Sequence, residues 1–146
     1  MKFINLIFSN KINSNVLNLW LLVFRIIVGA FLLTHGFPKF QHLISGEEIH
    51  FADPIGLGAK TSFILIVFAE FFCSILIILG AFTRLSTIPV MFGMFVASFI
   101  THGGDTFSGK ESSLIYMVMF ASIFITGAGK YSIDYLVTKN LVRNKK

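Results

Sequence analysis

The stretch Ser62–Leu79, SFILIVFAEFFCSILIIL, holds one charged residue, Glu70, near its centre. As a helix its eighteen residues rise about 27 Å, close to the ~30 Å hydrocarbon thickness of a bilayer. A carboxylate at that depth costs roughly 2.5 kcal/mol or more unless it is paired, protonated or wetted. The other polar residues of the chain are therefore read first as candidates to answer Glu70.

The surroundings of this stretch agree with a membrane setting. Hydrophobic residues make up 55% of the 146-residue chain and charged ones 13%, with a mean hydropathy of +0.80, too little polar surface for a soluble globule. Eighteen Phe suit lipid-facing and inter-helix packing. The net charge of +5 sits in short basic flanks beside apolar spans, the pattern of membrane topology and not of nucleic-acid binding. The single cysteine, Cys73, excludes an intramolecular disulfide, a CxxC redox pair and a multi-thiolate metal site. Any redox chemistry must then use a bound cofactor or a partner.

The reading is all-α: an integral membrane four-helix bundle. Spans are expected at about 17–35, 60–80, 85–101 and 112–128, within a domain covering 17–129. Residues 1–16 form a cytoplasmic or interfacial lead-in, and residues 130–146 a basic cytoplasmic tail. His35-Gly36-Phe37-Pro38-Lys39 is expected to break the first helix, because Gly and Pro punctuate helices. Lys2, Lys11, Arg84, Lys130, Lys139, Arg143, Lys145 and Lys146 fall on one side of this arrangement, and Lys39, Lys60 and Lys110 on the other. That bias puts both termini in the cytoplasm, with the protein in the cytoplasmic (inner) membrane. Thr34-His35-Gly36 and Thr101-His102-Gly103 end spans one and three, and Gly80-Ala81 and Gly127-Ala128 end spans two and four. This echo suggests a parallel repeat of two helix hairpins.

Two constellations carry chemistry. Arg25 lies about 12 Å along the helix from Leu17, and Glu70 about 15 Å before Gly80, so the two are expected to meet at one depth as an intramembrane polar pair. Gly29 and Gly36 share the face of Arg25 and allow close approach of a neighbour. Such a pair is either a structural ion pair fixing helix register or a proton-handling carboxylate poised by the arginine. At the outer surface, His35 and His102 end equivalent spans and Glu111 opens span four; imidazoles beside a carboxylate suit proton relay or a quinone headgroup. Their spacing contains no HxH or HxxxH, so no metal site is assigned. Arg84 and Lys130 read as topological, at the cytoplasmic ends of two helices.

These residues resemble the DoxX family of small four-helix membrane proteins. The likeness runs from about Phe24 to Asp134, through Arg25-x3-Gly29, His35-Gly36-x2-Lys39, Pro54-Ile55-Gly56-Leu57-Gly58 and Ala69-Glu70. It continues through Gly80-Ala81-Phe82-Thr83-Arg84, His102, Glu111 and Gly127-Ala128-Gly129-Lys130-Tyr131-Ser132-Ile133-Asp134. Ala128 departs from the Pro of many relatives, and Ser108-Gly109-Lys110 is a loose version of a Gly-rich run. The resemblance implies a bundle in the cytoplasmic membrane linked to redox chemistry, either as a quinone-reducing subunit or as a membrane partner of oxidative-stress proteins. Lys39 then joins His35, His102 and Glu111 as a ligand-facing residue, and a quinone is the cofactor implied. The expected partners are the lipid bilayer and a membrane or extracytoplasmic redox protein, with oligomerisation open. Two further functions stand beside this one: a non-catalytic scaffold docking a redox or stress partner, and a small-solute transporter acting as an oligomer.

Overall fold

The computed structural model describes residues 13–143, so the predicted lead-in lies largely outside the described residues, as do Lys145 and Lys146. We number its helices α1 (Ser14–Ser45), α2 (Ala59–Leu79), α3 (Thr83–Thr101), α4 (Phe107–Thr126) and α5 (Ile133–Arg143). No strand occurs among the described residues. By length and composition α1, α2 and α3 are long and apolar enough to cross a membrane. The fourth predicted span, α4, starts at Phe107 instead of 112, so Lys110 and Glu111 lie inside its first two turns and lower its apolar character.

α1 is one helix of 32 residues, about 48 Å long. Asn13 caps it by accepting from the Asn15 N–H at 2.9 Å, and Gly46, in the left-handed region at φ 78°, ends it. The expected break at His35–Lys39 is absent. Pro38 removes one intrahelical bond, a loss that membrane helices tolerate when neighbours pack around it, and the helix continues two turns beyond. Its buried face is Arg25, Val28, Gly29, Leu32 and Gly36, the i, i+3, i+4 spacing of one helical stripe.

α2 antiparallel to α1 supplies the other half of that contact, and it is not uniform. Residues Phe68–Phe72 form a π-helical turn, in which the Cys73 N–H reaches back to the Phe68 carbonyl. A Cβ at Gly36 would overlap the Glu70 carbonyl and meet the Phe71 nitrogen at 2.7 Å. Glycine at 36 therefore admits the widened turn of α2 against α1. Ser74 Oγ donates to the Glu70 carbonyl at 2.7 Å and so satisfies that acceptor within the distorted turn. α2 closes on a Schellman motif: the Ala81 N–H bonds the Leu76 carbonyl and the Gly80 N–H the Ile77 carbonyl, with Gly80 at φ 70°.

α3 packs on α2, α4 packs on α3, and α4 returns to touch α1. Val28, Leu32, Ala69, Cys73, Ile77, Val90, Met94, Phe120 and Ile123 form one core drawn from all four. Ser98 Oγ donates to Ser113 Oγ at 2.7 Å in the buried α3–α4 seam.

The loop between α1 and α2 is organised by Asp53, whose carboxylate accepts from the Leu57 N–H, the Gly58 N–H and Ser62 Oγ, each at 2.8 Å. These bonds, that from Gly58 foremost, hold the Asp53 carboxyl below the usual carboxylate range. A depressed folded-state value contributes stability that is present above the unfolded value and is lost as pH falls through the folded one.

Two outcomes are expected in detergent or lipid. Gly36→Ala should lower stability by about 1–3 kcal/mol, as overpacking against backbone does, whereas Gly104→Ala, with nothing within 4 Å of the new methyl, should leave the unfolding midpoint unchanged. The midpoint of the wild type should also fall as pH drops below about 4, near the unfolded Asp value, and Asp53→Asn should flatten that part of the profile.

Candidate functional site

Glu70 is the centre of the site. Its side chain is 6% exposed, and Oε2 accepts from Lys39 Nζ at 2.6 Å. Lys39 is 32% exposed and reaches Glu70 from the part of α1 beyond Pro38. Aromatic rings flank the pair: Phe40 stacks on Phe71 with centroids 4.3 Å apart and meets Phe72 edge-on at 5.7 Å. Such apolar walls strengthen the charge attraction and raise the cost of leaving either partner alone.

A cavity of about 480 Å³ opens between α2 and α3 over this pair. Its walls are mostly apolar, including Leu65, Ile66, Phe68, Phe92 and Met94, and its side-chain polar groups are Lys39, Ser62, Glu70, Thr101 and His102. Phe51 and Ile55 of the α1–α2 loop form part of the rim. α3 has its own π-helical turn at Ala97–Thr101, where the His102 N–H bonds the Ala97 carbonyl at 2.9 Å. Both π turns among the described residues face this one cavity. Widened turns re-aim side chains and recur at functional sites.

Arg25 does something else. Its guanidinium donates to the Ala128 carbonyl and to the Tyr131 carbonyl, the latter at 2.8 Å. The same end carries further long-range bonds: Lys130 N–H to Asn18 Oδ1 at 2.8 Å, and the Phe82 and Thr83 N–H groups to the Asp134 carboxylate at 2.7 and 2.9 Å. The segment after α4 thus clasps α1 and caps α3. The expected Arg25–Glu70 pair is not formed, and axial register is the reason. Arg25 lies beside Gly80 at the end of α2, while Gly36 lies beside Glu70. The offset of eleven residues from Arg25 to Gly36 separates the two levels by about 16 Å. The first turns of α1 run past the end of α2, so Leu17 and Gly80 are not at one depth.

A family model described as DoxX matches residues 20–103. The chain belongs to the DoxX family. A Haemophilus influenzae protein of uncharacterised role is 32% identical over 120 residues, covering 75% of this chain and 84% of the relative. No solved structure matches.

In this DoxX protein the remaining predicted residues divide. His102 reaches the cavity, with Nδ1 2.7 Å from Asp105 Oδ2. His35 does not: it is exposed, ten residues short of the α1 terminus, and meets the Tyr116 ring edge-on at 6.0 Å. The two histidines therefore do not end equivalent helices. Glu111 is exposed inside α4 and forms an ion pair with neither. Gly29 abuts Ile78 and the Ser74 carbonyl across the α1–α2 seam. Arg84 donates to the Ile125 carbonyl at 3.3 Å, and the Lys130 side chain is exposed. Among the described residues no three His, Cys, Asp or Glu side chains gather to hold a metal. The contact that sequence reasoning missed is Lys39–Glu70, although Lys39 lies three residues after Gly36 and so belongs to the same helical turn.

Double-mutant cycles on unfolding should separate the two charges. Lys39→Met with Glu70→Gln should show a coupling of about 0.5–3 kcal/mol, and Arg25→Met with Glu70→Gln should add within about 0.5 kcal/mol.

Proposed function

We propose that this DoxX protein is a quinone-interacting subunit of a membrane redox system, with the quinone headgroup in the α2–α3 cavity. The observation that carries the reading is a mostly apolar cavity of pocket size, about 480 Å³, with a buried carboxylate paired to a partly exposed ammonium on its wall and an imidazole among its lining. An apolar ring with two carbonyl oxygens suits such a site. The Lys39 ammonium can donate to one oxygen, and His102, held by Asp105, is suited to exchange a proton at the other. Glu70 holds Lys39 at the cavity wall through the 2.6 Å contact and presents its own carboxylate beside the ligand. Reduction of a quinone to a quinol takes two electrons and two protons. The residues named handle protons, and a redox partner supplies the electrons.

The same reading has α1 to α4 crossing the inner membrane as a four-helix bundle with both termini in the cytoplasm. The distribution of Lys and Arg about the helices supports it. The cavity then lies in the outer half of the bundle. Arg25 holds the cytoplasmic end together and takes no part in the chemistry.

The test is quinone binding to the purified protein in lipid, compared between the wild type and Glu70→Gln. Saturable binding weakened tenfold or more by the substitution, about 1.4 kcal/mol, is expected. Absence of binding in both proteins would sink the proposal and leave the scaffold function.

A further inference from the structure

The tail helix α5 has an unused face. Ile133, Val137 and Leu141 lie at i, i+4 and i+8, with Leu136 beside them, and all four are exposed. No residue of α5 is buried. Tyr135, Lys139 and Arg143 form a second stripe at the same spacing, adjoining Leu136. α5 is therefore amphipathic, with cations along one edge of its apolar face, and Lys145 and Lys146 follow in the sequence.

The place of this helix in the fold is fixed by the clasp. The Asp134 N–H bonds the Gly80 carbonyl at 2.9 Å, and the Asp134 carboxylate caps the start of α3. α5 thus starts level with the ends of two helices that are long and apolar enough to cross a membrane. A free helix at that level, apolar on one stripe and basic beside it, meets both acyl chains and headgroups. Its other side, through Tyr135 and Thr138, shares a cleft of about 590 Å³ with Arg84 and Lys130, so cations line that side as well.

We infer that α5 lies in the membrane plane and binds anionic phospholipid, its apolar stripe in the headgroup–acyl boundary and Lys139 and Arg143 on the phosphates. Long basic stems can lie along the apolar surface while their charged ends reach the headgroups. The apolar face selects lipid over water, and the basic edge selects anionic over zwitterionic lipid.

The test uses the full chain in vesicles of phosphatidylcholine with or without phosphatidylglycerol. An environment-sensitive fluorophore is placed at Leu136→Cys or Thr138→Cys; native Cys73, 1% exposed, serves as the unlabelled control. Spin-labelled phospholipid should quench the label at 136 more strongly than that at 138, and more in the anionic vesicles. Adding Lys139→Gln and Arg143→Gln should shift the docking of α5 by about fivefold for each charge removed, in anionic vesicles only. A label at 136 that no lipid spin label quenches overturns the inference, since water, a protein partner or a second copy then covers that face. Quenching indifferent to phosphatidylglycerol and to the two glutamines overturns its anionic part.

Discussion

Glu70 is a carboxylate buried in the middle of an apolar helix, and the fold around it follows from supplying one cation. The cation comes from α1, and only because α1 continues through Pro38 to carry Lys39 past the level of Glu70. Gly36, one turn earlier, lets α2 come close enough for a 2.6 Å contact. The π turn at Phe68–Phe72 changes the direction of the side chains on either side of Glu70. Its carboxylate can thus meet Lys39 and the cavity while Phe71 and Phe72 close the aromatic side. Pair, glycine and widened turn are one device, and none of the three has a reason without the others.

The other buried charge is handled separately. Arg25, 1% exposed, donates to backbone carbonyls of the segment after α4, where a guanidinium with five donors can satisfy several acceptors at once. Together with Asp134 at the start of α3, it joins the ends of four helices through segments distant in sequence. The two polar centres are kept apart by Val28, Leu32, Cys73 and Ile77. One end is therefore held together by many fixed hydrogen bonds. The other holds a partly exposed lysine beside a cavity, so movement of a proton or a ligand is easier there.

The residues that carry the sequence resemblance sort along the same division. Arg25, Gly80 and the run from Gly127 to Asp134 belong to the clasp. Gly36, Lys39, Glu70 and His102 gather around or beside the cavity. His35 stands in the motif that carries Gly36 and Lys39, yet it faces Tyr116, since neighbours in sequence on a helix point 100° apart.

Much was legible in the amino-acid sequence. Long apolar runs with few charges can satisfy their backbone in lipid only as helices, so the all-helical membrane character and the burden placed on Glu70 follow from composition and spacing alone. So does the small-residue face of α1, because a 3.6-residue period shows which side chains share a stripe. That period says nothing of how far one helix slides along another. A slip of about four turns separates pairing with Arg25 from pairing with Lys39, and that offset is set by Gly36 against the Glu70 backbone and by the clasp at Gly80, contacts between residues far apart in the chain. Continuation of α1 through Pro38 is decided in the same way, by packing that outweighs one missing hydrogen bond. The sequence by itself determined which residues need partners. Only the tertiary structure decided which partner each one has, because axial register is a property of two helices and not of either alone.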